Sequence, residues 1–144
     1  MKKAIVLAAI FLISAHSIQA QAIQDKDVPM LVKESCMKNF PAATDVKWMK
    51  KKKNYECNFK RMGTVMHCEM ESTGKILRTG EEIKQSNLPL PVDSYLKTNY
   101  KDVPVKSVFK QTYASGKVCY TLIVKGKELY FDDKGTLTSK EQYY

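Results

Sequence analysis

Glycine and proline are scarce in this chain, 6 and 5 among 144 residues, which excludes collagen-like and low-complexity architectures. Histidine is scarcer still, with 2, and there is one tryptophan. No Cys-x-x-Cys, no His-x-x-x-His and no Asp-rich calcium loop occurs, so the common metal-ligand spacings are absent and no metal or other cofactor is implied. Acidic side chains are the minority, 15 against 24 Lys and Arg, for a formal charge of +9. Long apolar runs are missing too. The one uninterrupted stretch, Ala4 to Ile13, reaches about 15 Å as a helix, half of a roughly 30 Å hydrocarbon core.

That short run has a specific setting. Met1-Lys2-Lys3 precedes it, a polar stretch follows, and Ala20-Gln21-Ala22 supplies a small-x-small cleavage pattern, with Ala20 as a second candidate end. This is the layout of a secretory signal peptide over residues 1–22. It places the product in the periplasm or outside the cell, with no membrane span left after cleavage. A cut after Ala22 leaves residues 23–144, and the loss of Lys2 and Lys3 leaves 22 basic against 15 acidic side chains, or +7. All four cysteines lie beyond the cut, in a compartment where disulfides persist. The first is Cys36, too far from the cut for an N-terminal lipid anchor.

The rest of the chain repeats itself at a spacing of about sixty residues. Val28-Pro29 is matched by Leu88-Pro89, Val32 by Val92, Cys36 by Leu96, Asn39 by Asn99 and Phe40 by Tyr100. Met62-Gly63 is matched by Lys125-Gly126, and Ser72 to Ile76 by Asp133 to Leu137. Two units follow, 23–84 and 85–144, with no Ser/Gly-rich linker between them. Each reads as one helix and then four strands. Val28, Leu31, Val32, Ser35, Cys36, Asn39 and Phe40 form a stripe at helical spacing. Asp25 and Asp27 are candidate caps, and Pro41 stops the helix. Ser86 or Asn87, Pro89, Pro91 and the stripe Val92, Tyr95, Leu96, Tyr100 repeat the plan.

The strands alternate with period two. Tyr55, Cys57 and Phe59 oppose Glu56, Asn58 and Lys60, and Met66, Cys68 and Met70 oppose Val65, His67 and Glu69. A two-residue turn at Met62-Gly63 then pairs Phe59 with Met66 and Cys57 with Cys68, which sends every apolar side chain to one face. In the second unit Val118, Tyr120, Leu122, Val124, Leu129 and Phe131 share a face. The expected fold class is α+β: two tandem α-β-β-β-β repeats in one continuous body, an antiparallel sheet with both helices packed on one face.

No catalytic constellation emerges. His67 is the only histidine beyond the leader, and Cys68 beside it points to the opposite face of the strand, so the two cannot form a nucleophile–base pair. Cys57 and Cys68, directly opposite each other, are a candidate disulfide. Cys36 on the helix above competes for either, and three buried free thiols are the alternative. Cys119 falls on the other face with Thr121 and Ile123 and is expected to be unpaired within the fold. Lys50, Lys51, Lys52 and Lys53 lie at a hairpin tip and form a candidate anion-binding site for an acidic glycan or protein. Nucleic acid is not an expected partner, because the chain is exported and carries no basic, aromatic-studded platform.

A signal peptide, then two copies of an apolar-Pro-x-x-Val helix with an aromatic-rich end (Asn39-Phe40-Pro41, Asn99-Tyr100) and glycine-turned hairpins, resembles the β-lactamase-inhibitor-like, PepSY-like periplasmic proteins of Bacteroidetes-type bacteria. The resemblance covers about residues 27 to 140. It implies the helix-on-sheet fold and a non-enzymatic role, in which the sheet face opposite the helices grips a protein partner of unknown identity. On that face the alternation places Met49, Asn58, Lys60, Val65, His67, Thr121, Ile123 and Tyr130, with Lys47, Glu56, Glu69, Val108, Lys110 and Glu128. Apolar and aromatic members among charges suit a protein-binding patch. The three inward cysteines of the first unit and the lysine run depart from the family pattern.

Overall fold

A computed structural model describes residues 20–139. Its nine strands run β1 (Gln21–Ile23), β2 (Ala43–Lys51), β3 (Asn54–Arg61), β4 (Thr64–Met70), β5 (Ile76–Glu82), β6 (Val105–Tyr113), β7 (Val118–Val124), β8 (Lys127–Asp132) and β9 (Leu137–Thr138). They form one sheet in strict chain order, each strand antiparallel to the next. Helices α1 (Met30–Asn39) and α2 (Leu90–Asn99) pack on one face. The fold is the α+β helix-on-sheet arrangement that the sequence predicts.

The turn chemistry explains the register. Met62 and Gly63, and again Lys125 and Gly126, both have positive φ. Two successive left-handed residues make the mirrored turn whose twist matches a two-stranded ribbon. The pairs Phe59↔Met66 and Cys57↔Cys68, then Leu122↔Leu129 and Tyr120↔Phe131, follow from these turns.

The helices are 60 residues apart and each ten residues long. Neither has a side-chain cap. Asp25–Asp27 and Gln85–Asn87 instead form short 3-10 turns, and Pro29 and Pro89 stand at the N-cap positions in extended geometry. Asp25 is not free to cap, because its carboxylate accepts from the Trp48 indole at 3.2 Å and from Lys33 at 3.1 Å. The buried stripe is narrower than the spacing predicts. Val32 and Cys36 of α1 and Val92 and Leu96 of α2 are enclosed, whereas Leu31 is more than half exposed. Val28, Phe40, Trp48, Tyr55, Cys57, Phe59, Cys68 and Met70 complete the first core; Leu88, Val108, Leu122, Val124 and Phe131 complete the second. Fully burying the larger of these side chains contributes roughly 1.5–3 kcal/mol each.

Two details bear on the rest. β1 pairs with β2 through Gln21↔Lys50, Ala22↔Met49 and Ile23↔Trp48. A cut after Ala22 would remove two of the three residues of β1, and a cut after Ala20 would keep all three. Residues 1–19 of the expected leader lie outside the described residues. Second, β6 presents the opposite face from the one expected. Val108 is buried among helix-side residues, and Phe109, Gln111 and Tyr113 point to the open face. A register shift between Val105 and Ser107 against β7 adds one residue to β6 and inverts its alternation.

Candidate functional site

The face away from the helices carries two rows of directly paired residues. One runs Met49↔Glu56↔Glu69↔Arg78↔Tyr113, and the next Asn58↔His67↔Gly80↔Gln111↔Cys119. Glu56 and Glu69 are thus side by side, an arrangement that repels without a cation between them. Arg78 supplies it. Its Nε donates to Glu69 at 2.9 Å and its Nη2 to Glu56 at 3.1 Å. Nη1 donates to Gln111 at 2.9 Å and sits 3.0 Å from His67 Nε2, which is itself 2.7 Å from Gln111 Oε1. Asn54 donates to the other oxygen of Glu69 at 2.9 Å. Glu56, His67, Glu69, Arg78 and Gln111 are each under 9% exposed, and Asn54 is half-buried at the edge.

Gly80 makes the arrangement possible. A Cβ there would run into His67 Nε2 and lie 2.6 Å from Gln111 Oε1. Its bare backbone lets a guanidinium, an imidazole and an amide meet over the middle of the sheet. Around this polar floor is a cleft of about 180 Å³, rimmed by Phe109, Ile123 and Tyr130 from the second unit and Lys51 and Asn58 from the first. Phe109 packs against His67 with ring centroids 5.0 Å apart and planes tilted by 47°.

The electrostatics follow from enclosure. Burial and the nearby Arg78 charge hold His67 below its ordinary 6.5, against the opposing pull of Glu56 and Gln111. Burial alone would raise Glu56, but Lys51, His67 and Arg78 outweigh it and hold the carboxyl below 4.5. Burial, then the hydrogen bond to Glu128, pushes the Tyr130 phenol up. A depressed histidine is neutral when folded and takes up its proton on unfolding. Its stabilisation is whole above pH 6.5 and drains away as pH falls below that value. The depressed Glu56 adds a second loss below pH 4.5. Urea midpoints measured from pH 7.5 to 4 should therefore fall in two stages, and His67→Gln should flatten the upper one. A midpoint constant between pH 7.5 and 5 would contradict the arrangement.

The structure distributes the candidate residues unevenly. Asn58, His67, Thr121, Ile123 and Tyr130 line the cleft. Met49 stands at its edge, accepting from Asn58 at 3.3 Å. Lys60 and Val65 pair with each other one row farther out and do not line it. The four lysines do not share a face. Lys50 lies over the Tyr55 ring on the helix side, Lys51 is paired with Glu56 at the cleft, and Lys52 and Lys53 are exposed at the turn. All four cysteines are free thiols here: Cys57 faces Cys68 in register without a bridge, and its sulfur lies 3.4 Å from that of Cys36. Cys119 is fully buried, and burial raises its thiol. Among the described residues no group of three or more His, Cys, Asp or Glu is placed to hold a metal ion.

Sequence reasoning missed Arg78, Gln111 and Phe109. One signal was available: the hairpin register sets Glu56 opposite Glu69, and two facing carboxylates call for a cation on the adjoining strand.

No protein-family model matches the chain, and neither does any curated protein sequence. Solved structures do. A BLIP-like protein from Bacteroides fragilis is 22% identical with a TM-score of 0.58, over 76% of this chain and 82% of its own. A candidate periplasmic protein from Bacteroides eggerthii is 17% identical with a TM-score of 0.68, over 78% and 86%. A DUF2874 family protein from Bacteroides uniformis is 15% identical with a TM-score of 0.66, over 77% and 86%. At these identities the likeness is one of fold, and the fold is BLIP-like.

Proposed function

We propose that this chain is an exported, non-enzymatic binding protein that presents the open face of its sheet to another protein in the envelope or outside the cell. The observation that carries the reading is the cleft. A polar floor cross-linked through Arg78 lies inside a rim of Phe109, Ile123 and Tyr130. A partner meeting it orders little and buries aromatic and aliphatic surface, the composition of an interface centre. The floor offers little catalysis, since its carboxylates are held by Arg78 and its imidazole by Gln111. Export is supported by the leader and by the structural likeness to a candidate periplasmic protein. No helix among the described residues is long and apolar enough to cross a membrane. A leader cut after Ala20 keeps β1 whole.

The test is capture from the source organism's envelope and culture fluid, at about 150 mM and about 500 mM salt, with the native chain and an Ile123→Asp/Tyr130→Asp variant as baits. The expected result is a discrete protein held by the native chain at both salts and lost, by at least tenfold, with the variant. Both side chains are part-exposed, so the variant should melt within a few degrees of the native chain. Equal capture by both baits would refute the face. Capture lost at high salt, and lost when Lys52 and Lys53 become Ser, would favour an acidic glycan at the hairpin turn instead.

A further inference from the structure

The two units are built on one plan, and the places where they differ are informative. Aligning the Met62-Gly63 turn with Lys125-Gly126 sets Cys57 against Tyr120 and Cys68 against Phe131, and the helices set Cys36 against Leu96. Where the second unit joins helix to sheet with a leucine, a tyrosine and a phenylalanine, the first uses three cysteines, each no more than 3% exposed. Three small side chains at the centre of a helix–sheet contact supply far less apolar surface than their counterparts. The bulk around them comes from Phe40, Trp48, Tyr55, Phe59 and Met70, so the three thiols are brought together at the centre of the contact without being needed to fill it.

The sulfurs show which pair is poised. Cys36 Sγ is 3.4 Å from Cys57 Sγ. The Cys57 thiol in turn points at the Cys68 carbonyl oxygen, 3.7 Å away. Counted from the pair Arg61↔Thr64 that closes the turn, Cys57 and Cys68 fall at a hydrogen-bonded site of the ladder, where facing residues stand about 1 Å farther apart than at the alternate sites. That spacing works against a bridge along the hairpin.

We infer that Cys36 and Cys57 are the disulfide pair of this protein, a covalent tie between α1 and β3, with Cys68 left as a buried thiol. The chemistry is thiol–disulfide exchange. A thiolate of one cysteine attacks an oxidant disulfide, that of an oxidoreductase or of oxidised glutathione, forming a mixed disulfide and releasing one thiol. The second cysteine displaces the other. In sum two protein thiols lose two electrons and two protons, and the oxidant disulfide becomes two thiols. The hydrogen bond to Cys57 and burial both raise the Cys36 thiol in the closed core. At Cys57 the bond from Cys36 lowers the thiol, but its bond toward Cys68 and burial outweigh that. Exchange therefore belongs to the stage before α1 seats, after which the link is shielded.

The inference rests on export for its oxidising setting, and the experiment separates the two. The full chain is expressed with its leader, purified without reductant, denatured and alkylated. In parallel it is refolded in a mixture of oxidised and reduced glutathione and treated in the same way. Two alkyl groups are expected instead of four, rising to four after reduction, and a peptide map should show residue 36 joined to 57. Cys36→Ala should raise the count to three, and Cys68→Ala should lower it to one with the link retained. Four alkyl groups in the refolded chain, or a link from Cys57 to Cys68 or to Cys119, would overturn the pairing. A link in the refolded chain but not in the expressed one would support the pairing and count against the address.

Discussion

Replacing Arg78 by methionine is expected to cost about 3–5 kcal/mol of folding stability, the loss that follows when one member of a buried ion cluster is removed and its partners stay behind. Glu56 and Glu69 sit directly across a strand pair, both under 7% exposed, and Arg78 bonds to each. Methionine keeps an unbranched apolar stem and takes away the guanidinium with its charge. Lys51 still reaches Glu56 from the cleft rim, whereas the ion pairs that Arg78 makes with Glu56 and Glu69 are both lost. Urea unfolding followed by Trp48 fluorescence measures the loss. Arg78→Lys should fall between the native chain and Arg78→Met, because an ammonium restores the charge and not the planar fork that addresses both carboxylates at once. If Arg78→Met unfolds within 1 kcal/mol of the native chain, the carboxylates are reached by water and the polar floor is not held together by Arg78.

The second large effect is expected at Gly80, where alanine should cost about 2–4 kcal/mol. A methyl group there meets His67 Nε2 and Gln111 Oε1 well inside contact distance. Both side chains are buried and pinned to Arg78 and to each other, so neither can swing aside without giving up a bond. Each buried polar group left without its partner costs about 1–3 kcal/mol. The gain of about 0.5–1 kcal/mol from replacing a flexible glycine in a strand offsets only part of that. A double-mutant cycle isolates the cause. With His67→Ala already in place the closest obstruction is gone and Gln111, released from the imidazole, is freer to move off the 2.6 Å contact that remains, so Gly80→Ala should cost at least 1.5 kcal/mol less than it does alone. An unchanged cost would mean that the backbone of β5, and not the crowding over it, sets the requirement for glycine.

Much of this fold is legible in the sequence, because its signals are local. The sixty-residue echo, the proline-led helices and the Met62-Gly63 and Lys125-Gly126 turns together give the element order, the hairpin registers and the helix-bearing face. What fails to read through is set by pairing at a distance. The face of β6 is inverted by a bulge between Val105 and Ser107 that only its pairing with β7 reveals. Arg78 lies in a segment with little alternation, and its role appears only when β5 is laid beside Glu69 and Tyr113. The helix caps are another such case. Asp25 is the right residue for a cap, but the 3-10 turn and the Trp48 indole claim it first. The candidate binding face was thus half visible: the histidine, asparagine, threonine and tyrosine of its lining were in reach, and the cation that organises them was not.

The chain-order sheet has one seam, where β5 of the first unit meets β6 of the second across the long excursion through α2. The cleft straddles it. His67 and Arg78 come from one side, and Gln111, Thr121, Ile123 and Tyr130 from the other. Each unit has its own core, so the seam is held by the strand ladder and by the Arg78 and His67 bonds to Gln111. Anything that settles into the cleft therefore clamps the two parts of the sheet together, and anything that parts them erases the cleft. Recognition at the cleft and the cohesion of the sheet become one equilibrium.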